Sequence, residues 1–562
     1  MSPAVSSRAI RERMDSIWIV PALVLAFASV CADMVAMLGH DPIGVWTLLP
    51  AGPVHGHWLG VEVSSFALFM TAVALIRRKP LGFVLAMIAM VAAVVVHGVF
   101  LHHPIAASVA AALAIVLFAT RDRYGVASDA HGAWIAVVLA SLAWIVVLGA
   151  WILDVRTGVH GPAPIRAVAE WLDLGTATMP GSPILASALV GAHLAIIGAI
   201  LLALTPAADQ PSTSDVERSE RALARHGHGS LLPYIVRPPC RPFALPDGRA
   251  ALAYAAAGRT AVAIGDPAGE PDAVLASFDA WAAHATARDW IPVVYQASEP
   301  FAGELERTGW RRIKVGSEAF VDPGAFDLAT PRLANVRHTV TRSRKGGLDV
   351  AVTSDGTSGL PAGVDPGSLV TLDQAWRRRH GPALGFTVGR FDPDGLDDAL
   401  LAVGLVAGIP VAFVVLRPTG TDGGWMLDLM RRSEDGPPGA VEACLVAAIG
   451  GLGRAGVRRL SLGLAPLAGL DARHGPLDER VLAAAARLIR PVYDADGLGF
   501  FKSKFGATWE PRYLVVAHRW QLPAAAIGLL RLHLGGSWLA VGHSLVAGVE
   551  LPRVGRRRLV AG

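Results

Sequence analysis

Lysine is scarce in this chain, and arginine supplies most of its positive charge. The sequence has 50 lysine and arginine residues, of which five are lysines: Lys79, Lys314, Lys345, Lys502 and Lys504. The two side chains differ in geometry and in how they present their charge. Two lysines kept within three residues, at 502 and 504, therefore indicate that ammonium groups are needed there.

Cysteine is equally rare, and its placement excludes two kinds of site. Cys31, Cys240 and Cys444 are far apart and form no C-x-x-C pair. The sequence therefore shows neither the familiar zinc-ligand spacings nor a disulfide framework.

Charge is sparse as well. Charged residues make up 17% of the chain and the net charge is +4, which gives no reason to expect polyanion binding by the whole surface. Apolar residues make up 53%, and the mean hydropathy is +0.45. A chain of 562 residues is also too long for one ordinary domain. We therefore expect several domains, one of which lies in lipid.

Six apolar runs precede residue 206, most of them close to the roughly 20 residues that a helix needs to cross a bilayer. The first run lacks the small-residue cleavage site of a removable signal peptide. The predicted spans are Trp18–Met37, Trp58–Ile76, Leu81–Leu101, Ile105–Thr120, Trp134–Leu153 and Ile184–Leu204.

Basic residues in the loops predict the orientation of these spans. Arginines precede the first run, Arg77, Arg78 and Lys79 separate the second from the third, and Arg121 and Arg123 follow the fourth. The intervening loops around positions 40–57 and 102–104 contain no lysine or arginine. The positive-inside rule therefore predicts a multi-pass plasma-membrane protein with both termini in the cytoplasm.

Four regions are expected along the chain. Residues 1–205 form the membrane domain, and 206–230 form a polar linker with a helix over 215–225. Residues 231–520 alternate short apolar strands with helical patterns in two similar halves, which predicts an α/β domain. One helix of this pattern is predicted near Leu396–Leu401. Residues 521–562 form an apolar and basic tail that we expect at the membrane interface.

Several separate motifs then follow in a fixed order. They are Gly265-Asp266-Pro267, Asp428-Leu429-Met430-Arg431, Leu462–Leu467, Phe501–Phe505 and Pro511–Leu514. In that order, behind a membrane region, residues 215–520 resemble the aminoacyl-phosphatidylglycerol synthases, also known as phosphatidylglycerol lysyltransferases or multiple peptide resistance factors. The resemblance implies a tandem acyltransferase domain of the GNAT type. It also implies transfer of an amino acid, with lysine the expected one, from aminoacyl-tRNA to phosphatidylglycerol or a related anionic lipid.

Such a reaction is a transesterification and needs no cofactor or metal. The aminoacyl ester is already activated, so the enzyme has to orient two polyanions, remove a proton from the lipid alcohol and stabilise an oxyanion. No G-x-S-x-G elbow supports a serine acyl-enzyme. The loop that grips coenzyme A in acetyltransferases is not evident either, which argues against an acyl-CoA donor.

The resemblance places Asp428, Arg431 and Glu318 among the catalytic residues. A carboxylate can accept a proton or bind the substrate ammonium, and arginine can hold a phosphate or face an oxyanion. A surface ion pair at a strand end is the alternative for Asp428 and Arg431. A capping role is the alternative for Glu318.

A second set of residues is expected to bind phosphates of tRNA or lipid. Lys502, Lys504 and Arg512 are interspersed with aromatic residues, a pattern that suits the single-stranded end of tRNA. Arg337, Arg344 and Lys345 share one face of a predicted helix. A solvated surface is the alternative for both groups.

Two other functions remain open from the sequence. The acceptor of the aminoacyl group could be diacylglycerol or a peptide. Alternatively, the chain could be a lipid-binding scaffold or transporter without catalytic activity.

Overall fold

The computed structural model describes residues 19–38, 58–100 and 102–129, scattered residues between 131 and 207, and then 211–353, 359–380, 385–466 and 495–535. Contacts divide the chain into two compact units. The first unit comprises Met1–Asp209 with Thr286–Asp289, and the second comprises Gln210–Ala285 with Trp290–Gly562.

The first unit is helical. Its described helices are α1 (Val20–Leu38), α2 (Trp58–Ile76), α3 (Pro80–Val95), continued by a π-turn over Val96–Phe100, and α4 (Pro104–Ala119). Small and aliphatic side chains such as Ala22, Ala86 and Leu117 pack together inside, whereas Ile88 and Ile115 are 61% and 69% exposed. Bulky apolar side chains on the outside suit a lipid environment.

One helix in the described part of this unit is long and apolar enough to cross a bilayer. It runs over Pro80–Val99, 20 residues with a mean hydropathy of 2.4. Helices α1, α2 and α4 coincide with the first, second and fourth predicted spans. Most of the fifth and sixth spans lie outside the described residues, so the number of spans remains a prediction.

A single twelve-stranded sheet forms the centre of the second unit. The strand order is β1-β2-β3-β5-β12-β6-β11-β10-β9-β8-β7, and β4 pairs with β2. The strands are β1 (Arg241–Ala244), β2 (Ala250–Ala257), β3 (Thr260–Ile264), β4 (Ala268–Gly269), β5 (Ile291–Ala297), β6 (Arg311–Val321), β7 (Leu348–Val352), β8 (Leu400–Val406), β9 (Ile409–Pro418), β10 (Trp425–Arg432), β11 (Leu460–Pro466) and β12 (Thr508–Val516).

Helices cover both faces of this sheet. They are α5 (Thr213–His226), α6 (Leu232–Ile235), α7 (Val274–Ala287), α8 (Glu299–Arg307), α9 (Ala334–Lys345), α10 (Pro366–His380), α11 (Ala440–Arg454), α12 (Ala495–Ser503) and α13 (Leu522–His533). The predicted α/β architecture is therefore confirmed for the soluble part of the chain. The two predicted halves share one continuous sheet.

Alternating side chains of β9 show which helix covers which face. Ala412 and Val414 belong to the apolar cluster beneath α11, whereas Phe413 and Val415 belong to the cluster beneath α10. Successive residues of a strand point to opposite faces. Helices α10 and α11 therefore cover opposite faces, which we call the α10 face and the α11 face.

The helix predicted near Leu396–Leu401 is wrong. Asp392 caps a short 3₁₀ turn over Pro393–Gly395, and residues 400–406 form β8, which pairs with β7 and β9. A short apolar run has no periodicity that separates a buried strand from a helix. Pairing on both sides satisfies its backbone groups as a strand.

Helix α13 belongs to the α/β domain, although the predicted tail begins at residue 521. Ala525 and Leu532 are buried against the sheet, and the Thr260 hydroxyl donates a hydrogen bond to the Ala524 carbonyl at 3.1 Å. Trp520 and Ile527 remain 70% and 45% exposed. The tail beyond residue 535 lies outside the described residues.

Candidate active site

A gap opens in the sheet between β10 and β11. These parallel strands pair only at Trp425 with Leu460 and at Met426 with Ser461. Both strands continue beyond that point, β10 to Arg432 and β11 to Pro466. We call the space between 427–432 and 462–466 the strand gap. Backbone and side chains along the gap are thereby available for contacts outside the sheet.

A bulge places Asp428 and Arg431 on the same face of the sheet, although their odd spacing would separate them in a regular strand. The pairing of β10 with β9 shifts register between Leu427 and Leu429. As a result, Leu427 packs on the α11 face and Leu429 on the α10 face. Asp428 contacts Arg417, and Arg431 contacts Asp373 of α10, so both point to the α10 face.

Asp428 is buried and only partly satisfied. Arg417 donates its Nε to Asp428 Oδ2 at 2.8 Å, and the two side chains are 2% and 1% exposed. Asp428 Oδ1 accepts no hydrogen bond from the described residues. The buried Tyr234 phenol also hydrogen-bonds to this carboxylate; burial, then the Asp428 charge and that hydrogen bond, raise the Tyr234 pKa well above its usual value. Oδ1 is therefore the Asp428 oxygen left for a donor from a ligand.

Arg417 is held by three acceptors. Besides Asp428, it bonds to the Asp398 carboxylate and donates Nη2 to the Gly395 carbonyl at 2.6 Å. Gly389 packs directly against Asp428, because a Cβ at this glycine would lie 2.9 Å from Asp428 Cγ and closer still to its oxygens. Asp428 therefore has a fixed position.

Arg431 pairs with Asp373 of α10 and not with Asp428. Its Nε donates to Asp373 Oδ1 at 2.6 Å, and its Cζ lies 4.0 Å above the Trp376 ring. Burial lowers the Arg431 pKa, while the charges of Asp373 and Asp428 oppose that change. Asp428 and Arg431 thus share a face and interact electrostatically without forming an ion pair with each other.

Glu318 joins three strands beside the gap. Arg512 of β12 donates Nε to Glu318 Oε2 at 2.6 Å, and the Ser461 hydroxyl of β11 donates to Oε1. Ala319 and Leu460 pack on the α11 face, so their neighbours Glu318 and Ser461 point to the α10 face. Asp428, Arg431 and Glu318 therefore project from the same side of the sheet.

Lys502 lies near Glu318 and is almost fully buried, at 3% exposure. Its Nζ donates to the Leu464 carbonyl at 2.7 Å and lies across Gly463, where a Cβ would come within 3.4 Å of it. Burial lowers the Lys502 pKa from 10.5 to about 7, although the Glu318 charge opposes the shift. Lys502 can therefore act as a neutral amine near physiological pH.

A cleft of about 410 Å³ adjoins Arg431. Trp376, Phe501 and the first turn of α11 also line it. Gly439, in the left-handed conformation at φ +90°, precedes α11, and no side chain caps that helix end. Arg431 and the open helix N-terminus together suit a phosphate group.

The three residues predicted as a cationic cluster are not brought together as one open patch. Lys502 is buried, and Arg512 is engaged by Glu318 and Glu510. Lys504 instead pairs with Glu442, a lining residue of the cleft, at 3.1 Å. Carboxylates thus hold Lys504 and Arg512 at separate places, and a backbone carbonyl binds Lys502.

Helix α9 presents the predicted basic face partly to solvent. Arg344 and Lys345 are exposed in its last turn. Arg337 is half-buried and donates Nη1 to the Leu328 carbonyl at 2.5 Å, which makes it a structural contact. Val336 and Val340 are buried and anchor the helix to the core.

Three residues near the site escaped the sequence reasoning as functional residues. Tyr234 and Arg417 carry no motif, and Asp266 lies in a motif that gave it no role. Asp266 Oδ1 accepts a hydrogen bond from the Ser298 amide at 2.9 Å. The sequence gives two weak signals for them. Tyrosine is rare in this chain, and Arg417 lies within an apolar strand. In the described residues, no group of three His, Cys, Asp or Glu side chains is arranged to hold a metal.

Comparison with known proteins matches residues 220–516 to the family described as phosphatidylglycerol lysyltransferase, C-terminal. The lysylphosphatidylglycerol biosynthesis bifunctional protein LysX of Mycolicibacterium vanbaalenii is 28% identical over 423 residues, covering 72% of this chain. The protein of the same name from Mycobacterium leprae is 32% identical over 259 residues, covering 45% of this chain and 22% of that protein. The matched part of the chain covers 38% of the Mycolicibacterium vanbaalenii protein.

The fold has a counterpart among solved structures. L-PGS from Bacillus licheniformis aligns with a TM-score of 0.51 and 25% sequence identity. The alignment covers 58% of this chain and 99% of that chain.

Proposed function

Because the chain belongs to the phosphatidylglycerol lysyltransferase C-terminal family, a family of transferases, we propose that it moves an amino acid from aminoacyl-tRNA to the glycerol hydroxyl of phosphatidylglycerol. Lysine is the expected amino acid, as in the names of the relatives. The observation that carries the proposal is the strand gap, where an unsatisfied buried carboxylate and a lysine of pKa about 7 border the same opening.

Asp428 is the proposed binding group for the substrate α-ammonium. Its Oδ1 is buried and lacks a donor among the described residues, while Arg417 and Gly389 fix its position. An ammonium bonded there would satisfy the carboxylate and orient the ester carbonyl towards the gap.

Lys502 is the proposed general base. As a neutral amine it takes the proton of the glycerol hydroxyl while the hydroxyl oxygen attacks the ester carbonyl of the aminoacyl-tRNA. The bond to the tRNA ribose oxygen then breaks, and protonated Lys502 returns the proton to that oxygen. A base with a pKa near the working pH is the most effective in such a step.

Arg431 and the N-terminus of α11 are the proposed phosphate-binding groups, because they line one cleft. Arg344 and Lys345 on the exposed face of α9 are proposed to contact the tRNA backbone. Glu318 and Arg512 are proposed to position Lys502 and to set its pKa.

The proposed product carries an additional ammonium at the lipid headgroup. It would lower the negative surface potential of the cytoplasmic leaflet and weaken attraction of cationic peptides. This role requires a plasma-membrane protein with its catalytic domain in the cytoplasm, as the loop charges predict.

Mass spectrometry of polar lipids from a host expressing the full chain tests the proposal. Cells making the wild type should contain an aminoacylated phosphatidylglycerol that is missing with Asp428→Asn. Asp435→Asn, which changes an exposed carboxylate shortly after β10, is the matched control and should keep the product.

The other outcomes separate the alternatives. An aminoacylated diacylglycerol or peptide would replace the proposed acceptor. Absence of every aminoacylated product, with wild-type protein inserted in the membrane, would favour a non-catalytic lipid-binding protein.

A further inference from the structure

A second basic recess lies on elements other than those of the candidate active site. It has a volume of about 310 Å³ and lies between helix α5 and the turn at Pro246–Gly248. The helix contributes Ser214, Arg218, Arg221 and Arg225. Spacings of four, three and four residues place these side chains on one face of the helix.

The helix holds its arginines in a fixed row. Ala222 and Leu223, on another face of α5, are buried with Ala251 and Ala268 of the sheet. A capping box of Ser212 and Asp215 fixes the first turn. The helix is thus fixed by its buried face and by its capped first turn. Holding the arginine row at the recess therefore costs little additional backbone entropy.

The guanidinium groups of the recess retain donors. Arg218 pairs with Asp215, but its Nε is buried and has no acceptor in the described structure. Arg221 donates Nε to the Glu217 carbonyl at 3.2 Å and is exposed, as is Arg225. Planar guanidinium donors converging on one recess suit the oxygens of a phosphate.

We propose that this recess is a second phosphate-binding site, and that its ligand is the phosphate headgroup of an anionic lipid. Thr213, where α5 begins, follows Leu204, the end of the sixth predicted span, by nine residues. Fourteen residues separate Leu204 from Arg218, and an extended chain of that length reaches at most about 50 Å. The arginine row is thus tethered within reach of a membrane surface.

Two features favour a lipid over a nucleic acid. Among the residues that the structure describes, no aromatic side chain lines the recess, so these residues offer no stacking platform for single-stranded bases. The three arginines also converge on one compact volume instead of following a track of successive phosphates. Bound lipid would hold the linker helix at the anionic leaflet, independently of substrate in the strand gap.

Native mass spectrometry of the full chain in a neutral detergent tests the site, with short-chain phosphatidic acid as the probe. This lipid has the phosphate but no glycerol hydroxyl on its headgroup, so it is not an acceptor in the proposed reaction. The test variant is Arg218→Gln/Arg221→Gln/Arg225→Gln. The control, Arg307→Gln/Arg379→Gln/Arg458→Gln, removes the same charge from exposed arginines on other elements.

The test variant should bind phosphatidic acid at least about tenfold more weakly than the wild type, while the control changes little. Equal binding by the wild type and the test variant overturns the proposal. If the triple variant unfolds at a lower temperature, Ser214→Asp supplies the second test, because it adds a carboxylate to the recess and should also weaken binding.

Two competitors identify the source of the phosphate. Inorganic phosphate that displaces the lipid at equal concentration would make this a site for free anions. If the test variant binds deacylated tRNA more weakly than the wild type but binds the lipid equally well, the site belongs to nucleic acid. The binding measurement does not depend on transfer, so its failure and a failure of the proposed reaction are distinguishable.

Discussion

The pH dependence of transfer should report the ionisation of Lys502. In the proposed mechanism the neutral amine is the base, and it is populated above the pKa, so the rate should rise with pH and level off above about 7. Below the midpoint, the rate should fall by about tenfold for each pH unit. Lys502→Arg should lose at least about a hundredfold in kcat, since a guanidinium stays protonated.

The size of the effect follows from the burial of Lys502. A lysine with a pKa of 10.5 would be neutral at pH 7 in about one molecule in 3000, whereas a pKa of about 7 makes about half of the molecules neutral. Burial therefore increases the population of the active base by roughly a thousandfold. The Leu464 carbonyl accepts a hydrogen bond from the Lys502 amine at 2.7 Å and so orients it. Because this carbonyl is uncharged, it does not neutralise a positive charge on Lys502.

Glu318→Gln provides the sharper test, because it predicts the direction of a shift. The Glu318 charge raises the pKa of Lys502, so its removal should lower that pKa and move the rise in rate to lower pH. The assay is the initial rate of label transfer from aminoacyl-tRNA to lipid between pH 5.5 and 8. Lys314→Met, at the lysine that lies on β6 with Glu318, should keep the wild-type profile. A wild-type profile in Glu318→Gln, or substantial activity of Lys502→Arg, would refute the assignment of Lys502 as the base.

Two further predictions concern the same site, and a third concerns the exposed face of α9. Arg417→Met should destabilise the fold by about 3–5 kcal/mol, because it leaves Asp428 buried without its partner; chemical denaturation measures this, and an unchanged midpoint would contradict it. Gly389→Ala should lower activity by pushing the Asp428 carboxylate aside, while circular dichroism stays native; full activity would show that the close packing is unimportant. Arg344→Gln/Lys345→Gln should raise the KM for aminoacyl-tRNA and reduce the salt slope of binding by about one to two, with kcat unchanged; an unaltered salt slope would remove α9 from the tRNA-binding surface.

The sequence predicted elements that repeat a clear local pattern. The local pattern predicts a helix over Ala440–Arg454, and α11 has those bounds. It also predicts strands over Ala251–Ala257 and Thr260–Ile264, which agree with β2 and β3 within one residue. The helix predicted near Leu396–Leu401 was wrong because a short apolar run has no periodicity that separates a buried strand such as β8 from a buried helix. β12 escaped the prediction because charged and aromatic residues interrupt its apolar pattern.

The candidate site was predictable only where a motif marks a residue. The bulge that brings Asp428 and Arg431 to one face is a property of pairing with β9, and the local sequence does not encode it visibly. Tyr234 reaches Asp428 from a segment about 190 residues earlier, and Arg417 comes from the neighbouring strand. The burial that lowers the Lys502 pKa likewise comes from tertiary packing. The sequence therefore predicted Lys502 as a phosphate ligand, whereas its burial makes it a candidate base.

The position of β12 also sets an order of assembly. This strand lies between β5 and β6, which precede it by about two hundred residues, and it supplies the Arg512 that binds Glu318. Until the ribosome has released residues 508–516, β5 and β6 have no common neighbour and expose their pairing edges. Non-local pairing of this kind closes late and slowly. If the proposed function holds, a nascent chain would therefore lack the completed site, and could not use aminoacyl-tRNA near the translating ribosome, before its synthesis has passed β12.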